Sequence, residues 1–201
     1  MAARGRASCG LISHCIFPGT CGLSSRCTAW HARFTSDTIA MFMYRAASES
    51  DLAGICALGQ VINLLHHEAW PRIFAPASAP ERDAQHWRRC ITGENVAAFV
   101  AEDSSTLVGF VTVAVVSEGH SLLQPMRYAK VGSVCVREAE RGKGIGRQLM
   151  EQAESWAVAQ SAVDVRLNVW EFNRSALGLY RELGYEVRSL LLGKSLLQDT
   201  G

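Results

Sequence analysis

The sequence predicts an α/β (α+β) fold in which a mixed, mainly antiparallel twisted sheet carries helices on both faces. The first observation is that apolar residues recur at every second position in some segments and at helical spacing in others. The second is the order of these segments, β-α-α-β-β-β-α-β-α-β, which implies a sheet of this kind. The third is that 201 residues with 48% apolar content suffice for one domain with a substantial core and an extension.

Capping residues and a turn mark the elements in the first half of the chain. Ser48-Glu-Ser-Asp51 has the form of a capping box, which starts the first helix after a short opening strand. Ser78-Ala-Pro80-Glu81 marks the start of the second helix, with proline in its first turn. Two apolar strands then flank Asp103-Ser-Ser, so they are predicted to pair as an antiparallel hairpin.

The second half of the chain alternates strands and helices around a glycine-rich turn. From Val134 to Gly146 an apolar strand breaks at a charged turn, glycines follow at alternate positions, and an amphipathic helix begins. Gly184 is placed to end the last helix as a left-handed cap, after which the chain returns as a final strand. We therefore predict strands over 42–46, 96–102, 107–116, 128–136, 163–169 and 185–196, and helices over 50–66, 80–92, 144–160 and 173–183.

The glycine turn has the features of an anion site. A turn at a helix N-terminus presents free backbone N–H groups, and these groups together with the helix dipole favour a phosphate. Gly142, Gly144 and Gly146 carry no side chain that would hold a phosphate away from the amides. The spacing fits neither the dinucleotide fingerprint nor the nucleoside-triphosphate loop. A tight turn that only lets the helix pack closely on the strand is the structural alternative.

Two motifs resemble the signatures of one enzyme family. Arg141 to Gly146 reads Arg-x-x-Gly-x-Gly, and Asn173 to Tyr185 reads Asn-x-x-Ala-x-x-x-Tyr-x-x-x-Gly-Tyr. In this order and at this distance they resemble the acetyl-CoA pyrophosphate loop and the second signature of the GNAT superfamily of N-acetyltransferases. The resemblance covers roughly Met43 to Leu197. It implies a GNAT domain over residues 41–201, preceded by a poorly ordered extension over residues 1–40.

The resemblance implies a binding site for acetyl-CoA as co-substrate. The backbone of the central strand would pair with the pantetheine arm, and the glycine turn would hold the pyrophosphate. Asn173 would bind the arm from the other side, although an N-cap of the last helix is its structural alternative. The cofactor-binding residues implied in this way are Val134, Val136, Arg141, Gly142, Lys143, Gly144, Ile145, Gly146, Arg147, Asn173 and Tyr180.

The same resemblance implies direct attack of an amine on the thioester in a ternary complex, with two catalytic residues. The backbone N–H of Val134 would stabilise the oxyanion, next to a bulge in the strand marked by Gly132. Tyr180 would protonate the departing thiolate, because a phenol of pKa about 10 can donate to a thiolate of pKa about 8.5. Packing of a buried Tyr180 against the sheet is the structural alternative.

The acceptor site is predicted near the end of the first helix and the loop that follows it. Its aromatic and acidic residues suit a cationic amine, while anchoring of the loop to the core is an equal interpretation of the aromatic ones. The central strand carries Lys130 and Ser133 but no acid, which favours removal of the amine proton through water. The predicted substrate residues are His66, His67, Glu68, Trp70, Phe74 and Glu118, of which the histidines and acids, with His120, are candidate bases.

Composition limits the other partners. A net charge of +1 disfavours an extended nucleic-acid-binding surface. No apolar run approaches the ~20 residues that span a bilayer, so no membrane partner is expected. The spacing of the N-terminal cysteines fits no zinc site, and we expect no metal. We expect a cytoplasmic protein, for which a homodimer is compatible with the sequence.

Two further questions stay open at the level of the sequence. Residues 1–40 are rich in arginine and serine and poor in acids, which fits a targeting segment, a disordered tail, or sequence upstream of the true start. The function has two alternatives to an amine acetyltransferase, namely a non-catalytic acyl-CoA-binding sensor module and a structural domain whose glycine turn binds nothing. Stabilisation by the cofactor and turnover with an amine separate these possibilities.

Overall fold

A five-stranded sheet with helices packed on both faces forms the centre of the structure. The computed structural model describes residues 42–77, 80–119, 121–122 and 124–196, all of them within the compact unit Ile39–Gly201. The expected extension, residues 1–40, lies outside the described residues. The strands and α-helices are β1 (Met43–Ala46), α1 (Leu52–Ala69), α2 (Ala84–Thr92), β2 (Val96–Asp103), β3 (Thr106–Glu118), β4 (Met126–Val136), α3 (Ile145–Ala159), β5 (Val165–Leu167) and α4 (Arg174–Glu182).

The strands lie side by side in the order in which they occur in the chain. Neighbours pair antiparallel from β1 to β4, whereas β4 and β5 pair in parallel. The short connections from β2 to β3 and from β3 to β4 suit antiparallel pairing, whereas parallel pairing of β4 and β5 needs a long crossover, which α3 supplies. The predicted mixed, mainly antiparallel sheet is therefore confirmed.

Each face of the sheet has its own core. On one face, α3 buries Leu149 and Met150 against a cluster that includes Val111 of β3. On the other face, α1 and α2 bury Ile55 and Trp87 in a cluster with Phe110. Full burial of a side chain of this size stabilises the fold by about 1.5–3 kcal/mol. The predicted placement of helices on both faces is confirmed.

The start of α1 is tied to the sheet by an ion cluster. The backbone N–H of Ser48 donates to Asp51 Oδ2 at 2.7 Å, as the predicted capping box requires. Arg45 on β1 donates to both carboxylate oxygens of Asp51, at 2.7 and 2.8 Å, and also contacts Glu102 on β2. The hydrogen bond from Arg45, more than any other contact, lowers the pKa of Asp51 to about 2. The side chain of Asp51 is only 7% exposed, so the cluster fixes β1, β2 and α1 together.

The bulge predicted at Gly132 is present in β4. Val111 of β3 lies opposite Val134, but Val113 lies opposite Val131, so two residues of β4 face Thr112 alone. The backbone N–H of the second of these residues, at position 133, donates to Thr112 Oγ1 at 3.0 Å. A Cβ on Gly132 would stand 2.8 Å from the same oxygen, which explains the need for glycine. Because of the bulge, the β4 side chains that face α3 stand at odd-numbered positions before it (Ala129 and Val131) and at even-numbered positions after it (Val134 and Val136).

Two predicted strands differ from the structure. β5 extends only over Val165–Leu167 instead of 163–169, because only these residues pair with β4. Residues 185–196, predicted as a final strand, contain no strand. Their apolar composition is typical of a strand, but a strand also needs to pair with a neighbouring strand, and these residues pair with none of the five described strands. Its three consecutive leucines, Leu190 to Leu192, are between 79% and 90% exposed.

Candidate active site

A slot opens beside β4 where β5 ends. The two strands pair from Ala129 opposite Val165 to Val131 opposite Leu167, whereas β4 continues to Val136. Beyond Val131, β4 therefore has no strand neighbour on this side in the part of the chain that the structure describes. An extended ligand can add to this free edge as a further strand would.

The backbone N–H groups of Val134 and Val136 point into the slot. The N–H of Ser133 donates to Thr112 Oγ1 at 3.0 Å and the N–H of Arg137 donates to the carbonyl of Val108 at 2.7 Å, both on the β3 side. Successive N–H groups of a strand point to opposite sides, so those of positions 134 and 136 face away from β3. These are the two strand residues that the sequence predicts to meet the cofactor.

Six consecutive amides are unpaired at the N-terminus of α3. The N–H of Arg141 donates to Glu138 and the N–H of Gln148 donates to Gly144, each at 3.1 Å. Between them, the amides of residues 142–147 donate to no backbone acceptor among the described residues. Gly142 and Gly144 have φ angles of 78° and 82°, a region that favours glycine. Such a concave run of amides at a helix N-terminus is an anion-binding site.

The space above these glycines is open. No heavy atom lies within 4 Å of the place that a Cβ would occupy on Gly142 or Gly144. Gly146 differs, because its Cβ would stand 3.1 Å from Leu179 Cδ2, so it permits close packing of α3 on α4. The glycine motif thus serves two purposes, since the first two positions leave room above the amides and the third brings the helices together.

The cations around the turn are held in exposed contacts. Lys143 pairs with Glu140 at 2.7 Å and Arg147 pairs with Glu182 at 2.9 Å. Arg141 donates to the carbonyl of Val136 at 3.3 Å. Exposed ion pairs of this kind contribute about 0–1 kcal/mol, so they can give way to an incoming phosphate at little cost.

Tyr180 lies on α4, half-buried against the core cluster on the α3 face. Its ring meets that of Tyr185 edge-on, with 5.9 Å between centroids. Burial raises the pKa of Tyr180, so the phenol keeps its proton at neutral pH. Its hydroxyl has no hydrogen-bond partner among the described residues, which leaves it able to donate to a ligand.

Asn173 has the N-cap geometry that the sequence offered as its alternative role. Its Oδ1 accepts a hydrogen bond from the backbone N–H of Ala176 at 3.2 Å. The cap occupies the carbonyl oxygen of the side chain and leaves its amide N–H groups as donors. Capping of α4 is thus compatible with a second hydrogen bond to a ligand in the slot.

An aromatic cluster joins the end of α1 to the segment that follows β5. Trp70 and Trp170 have ring centroids 5.4 Å apart, Phe74 and Trp170 4.9 Å apart, and His66 and Phe172 5.4 Å apart. The sequence predicted three of these residues but missed Trp170 and Phe172. Their position directly before the Asn173 motif is the sequence feature that could have identified them as site residues. The aromatic cluster, His66, Trp70, Phe74, Trp170 and Phe172, borders the slot on the side where β5 ends.

The two histidines at the end of α1 have a defined tautomer. His66 Nδ1 lies 2.7 Å from the carbonyl oxygen of Ile62, and His67 Nδ1 lies 2.8 Å from that of Phe74. A carbonyl only accepts, so Nδ1 carries the proton in both rings. In each neutral ring Nε2 is then the acceptor, which is the form that a general base requires.

The predicted acidic residues do not join the aromatic cluster. Glu118 ends β3 and pairs with Arg166 at 3.2 Å. Glu68 is exposed in the last turn of α1. His120 lies outside the described residues. An acidic lining for a cationic amine, formed by Glu68 and Glu118, therefore stays a prediction.

Among the described residues, no group of three or more His, Cys, Asp or Glu side chains is arranged to hold a metal ion. No described helix combines the length and apolar content needed to cross a membrane.

Comparison with known sequences matches this chain to an enzyme family. Residues 62–185 match the profile of the family described as the acetyltransferase (GNAT) family. An uncharacterized protein of Mycobacterium leprae (strain TN) is 31% identical over 111 residues. That match covers 55% of this chain and 27% of the relative, so the chain spans about a quarter of the relative's length.

Solved structures share the fold. A mutant of the BH1408 protein from Bacillus halodurans superposes with a TM-score of 0.73 and 23% identity, over 77% of this chain and 99% of that chain. An aminoglycoside N-acetyltransferase, AAC(6')-Iy, solved in complex with CoA, has a TM-score of 0.58 and 14% identity, over 78% of this chain and 96% of that chain. At these identities the likeness shows the fold.

Proposed function

The chain belongs to the acetyltransferase (GNAT) family, and on that premise we propose that it transfers an acetyl group from acetyl-CoA to a primary amine of a small molecule or peptide. The observation that carries this proposal is the run of unpaired amides over residues 142–147 beside a free strand edge. The unpaired amides suit a pyrophosphate, and the free strand edge suits an extended arm that contains amide groups. Acetyl-CoA contains both, joined to a reactive thioester.

The residues that would hold acetyl-CoA come from β4, α3 and α4. The amides over 142–147 would bind the pyrophosphate, with help from Arg141, Lys143 and Arg147. The inward-facing N–H groups of β4 would pair with carbonyls of the pantetheine arm. The side-chain amide of Asn173 would donate to the arm from the opposite side. The CoA in the aminoglycoside N-acetyltransferase of the same fold supports this choice of co-substrate.

Acetyl transfer would proceed by direct attack. The nitrogen of the amine forms a bond to the thioester carbonyl carbon, and the carbonyl oxygen takes up the negative charge. The N–H of Val134 points into the slot and would stabilise that oxyanion. The carbon–sulfur bond then breaks, and the hydroxyl of Tyr180 donates its proton to the departing thiolate.

The amine must lose a proton for the reaction to balance. An ammonium ion has no lone pair, so one proton leaves before the attack and a second leaves the tetrahedral intermediate. His66 has an accepting Nε2 and lies in the aromatic cluster. We assign it as the base, acting through water, in preference to Glu118, whose carboxylate is held by Arg166.

A non-catalytic acyl-CoA-binding module is the alternative function. It would use the same amides and the same strand edge but would need no proton donor at the sulfur. The unpaired hydroxyl of Tyr180, whose raised pKa keeps it protonated, favours the enzyme.

The test is thiol release from acetyl-CoA with a panel of small amines, polyamines, aminoglycosides and amine-bearing peptides. The proposal expects release that depends on the acceptor, together with thermal stabilisation by acetyl-CoA alone. Stabilisation without release for any acceptor would favour the sensor module. Absence of both effects would show that the glycine turn serves only packing.

A further inference from the structure

We propose that the acceptor amine carries an acidic group, a carboxylate, and that Lys130 on β4 is its counter-ion. This inference rests on the proposed function, because it names the substrate class of the same site. It reverses the sequence-based expectation of an acidic lining for a purely cationic amine.

The faces of the sheet decide where the acceptor comes from. Ala129 and Val131 are buried in the core under α3, and Lys130 between them points to the opposite face. The unpaired amides and Tyr180 belong to α3 and α4, so the co-substrate reaches the slot from their face. The acceptor must therefore approach from the face on which Lys130 lies.

The charges around Lys130 cancel without it. Arg166, its direct neighbour on β5, pairs with Glu118 at 3.2 Å and with Asp164 at 2.9 Å. Arg188 pairs with Asp164 at 2.6 Å. Two guanidiniums thus balance two carboxylates. Lys130 is exposed and makes no ion pair within the described part of the chain, so no described carboxylate compensates its positive charge.

Aromatic rings on the same face as Lys130 would contact the apolar part of the acceptor. Trp170 follows the end of β5 by three residues, and its ring packs on those of Trp70 and Phe74. Arg166 is stacked over Tyr128 at 3.9 Å, which extends the aromatic surface along β4. A ligand next to Lys130 therefore meets aromatic rings and an unpaired ammonium group.

The position of Lys130 along β4 sets the spacing of the two groups on the acceptor. It lies four residues before Val134, and a strand advances about 3.3 Å per residue. An acidic group at Lys130 and a reacting amine at Val134 are then several bonds apart. Amino acids with a terminal side-chain amine, and short peptides, meet this condition, whereas a polyamine places a second cation beside Lys130.

The experiment compares three amines of equal chain length, namely ε-aminocaproate, hexylamine and hexamethylenediamine. They end in a carboxylate, a methyl group and an ammonium group. The measurements are steady-state thiol release from acetyl-CoA and thermal stabilisation of the CoA complex by each amine. The variants are Lys130→Gln and Lys130→Glu, with Lys194→Gln as the matched control because Lys194 is also exposed but lies beyond α4.

We expect the wild type to prefer ε-aminocaproate to hexylamine, and hexylamine to the diamine, by about five- to tenfold in kcat/KM at each step. Lys130→Gln should abolish this order of preference by making KM similar for the three amines, while KM for acetyl-CoA stays the same. Lys130→Glu should shift the preference to the diamine, and Lys194→Gln should change nothing.

The outcomes separate this inference from the proposed function. Thiol release that is equal for the three amines, or unaltered by Lys130→Gln, would overturn the inference and leave the acetyltransferase intact. A carboxylate-dependent stabilisation that is lost in Lys130→Gln, without any thiol release, would support the inference and overturn the transfer. Neither stabilisation nor release with any amine would overturn both.

Discussion

Among single residues, Tyr180 is the one on whose hydroxyl we propose that acetyl transfer depends. Its ring is held by core packing and by the edge of Tyr185, so removal of the oxygen should leave the fold intact. Tyr180→Phe is expected to lower kcat about a hundredfold with little change in KM for acetyl-CoA, because only the departing thiolate loses its proton donor. Steady-state kinetics measure both parameters.

Tyr185→Phe is the matched control for that experiment. Tyr185 donates to Glu154 at 2.7 Å, so its loss should lower stability but spare turnover. A Tyr180→Phe enzyme with wild-type kcat would refute the acid role and leave Tyr180 as a packing residue.

Asp51 allows a prediction about stability and pH. Its folded pKa of about 2 lies below the ordinary aspartate pKa of 3.8, so the stabilisation is complete above pH 3.8 and is lost as the pH falls toward 2. Asp51→Asn should lower the free energy of unfolding near neutral pH by about 2 kcal/mol and remove this acid dependence. Urea unfolding across the acid range measures both. Glu49→Gln is the control, because Glu49 is 66% exposed in its 3.5 Å ion pair with Arg88.

At the scale of elements, the first turn of α3 should control affinity for CoA. Alanine at Gly144 must adopt a φ of 82°, which costs about 1–2 kcal/mol, and its methyl group enters the space above the amides. Gly144→Ala should therefore weaken CoA binding about tenfold in a calorimetric titration.

A truncated thioester isolates the cause of that loss. S-acetylpantetheine has no pyrophosphate, so its affinity should be the same for the wild type and for Gly144→Ala. Gly193→Ala is the control variant, since no atom crowds its Cβ position and its φ is not in the left-handed region. Equal weakening of both ligands would place the pyrophosphate elsewhere.

The elements that the sequence predicted well are those with local signals. Glycines at alternate positions, the capping residue Asn173 and the cap at Gly184 act within one turn of their own helix, so their pattern sufficed. Gly132 predicted the bulge because the constraint, the closeness of Thr112, acts directly on its missing side chain.

Features that depend on distant parts of the chain could not be predicted in this way. The contact of Trp70 with Trp170 joins segments a hundred residues apart, and nothing in either segment specifies the other. Likewise, the strand expected over 185–196 depends on a free edge to pair with, which is a property of the whole sheet. The ion pair of Glu118 with Arg166 joins residues 48 positions apart and was not predicted for the same reason.

At the scale of the whole molecule, the sheet separates two routes to one slot. The unpaired amides over 142–147, with α3 and α4, serve the face from which acetyl-CoA would approach. α1, the aromatic cluster and Lys130 serve the other face. The two reactants would then meet where β4 and β5 separate. There the backbone N–H of Val134, which follows the bulge at Gly132, points into the slot. Under the proposed function, both reactants would be bound at the same time, which predicts direct transfer.

Transfer of an isotopic label from acetyl-CoA to an amine is the decisive test of the proposed function. Acetyl-CoA labelled in its acetyl group is incubated with the protein and an amine acceptor, and mass spectrometry follows the label. We expect the label in an amide of the acceptor, at a rate equal to thiol release and dependent on Tyr180. Label found only in free acetate, or retained in acetyl-CoA for every acceptor, would contradict the proposal that this slot performs amine acetylation.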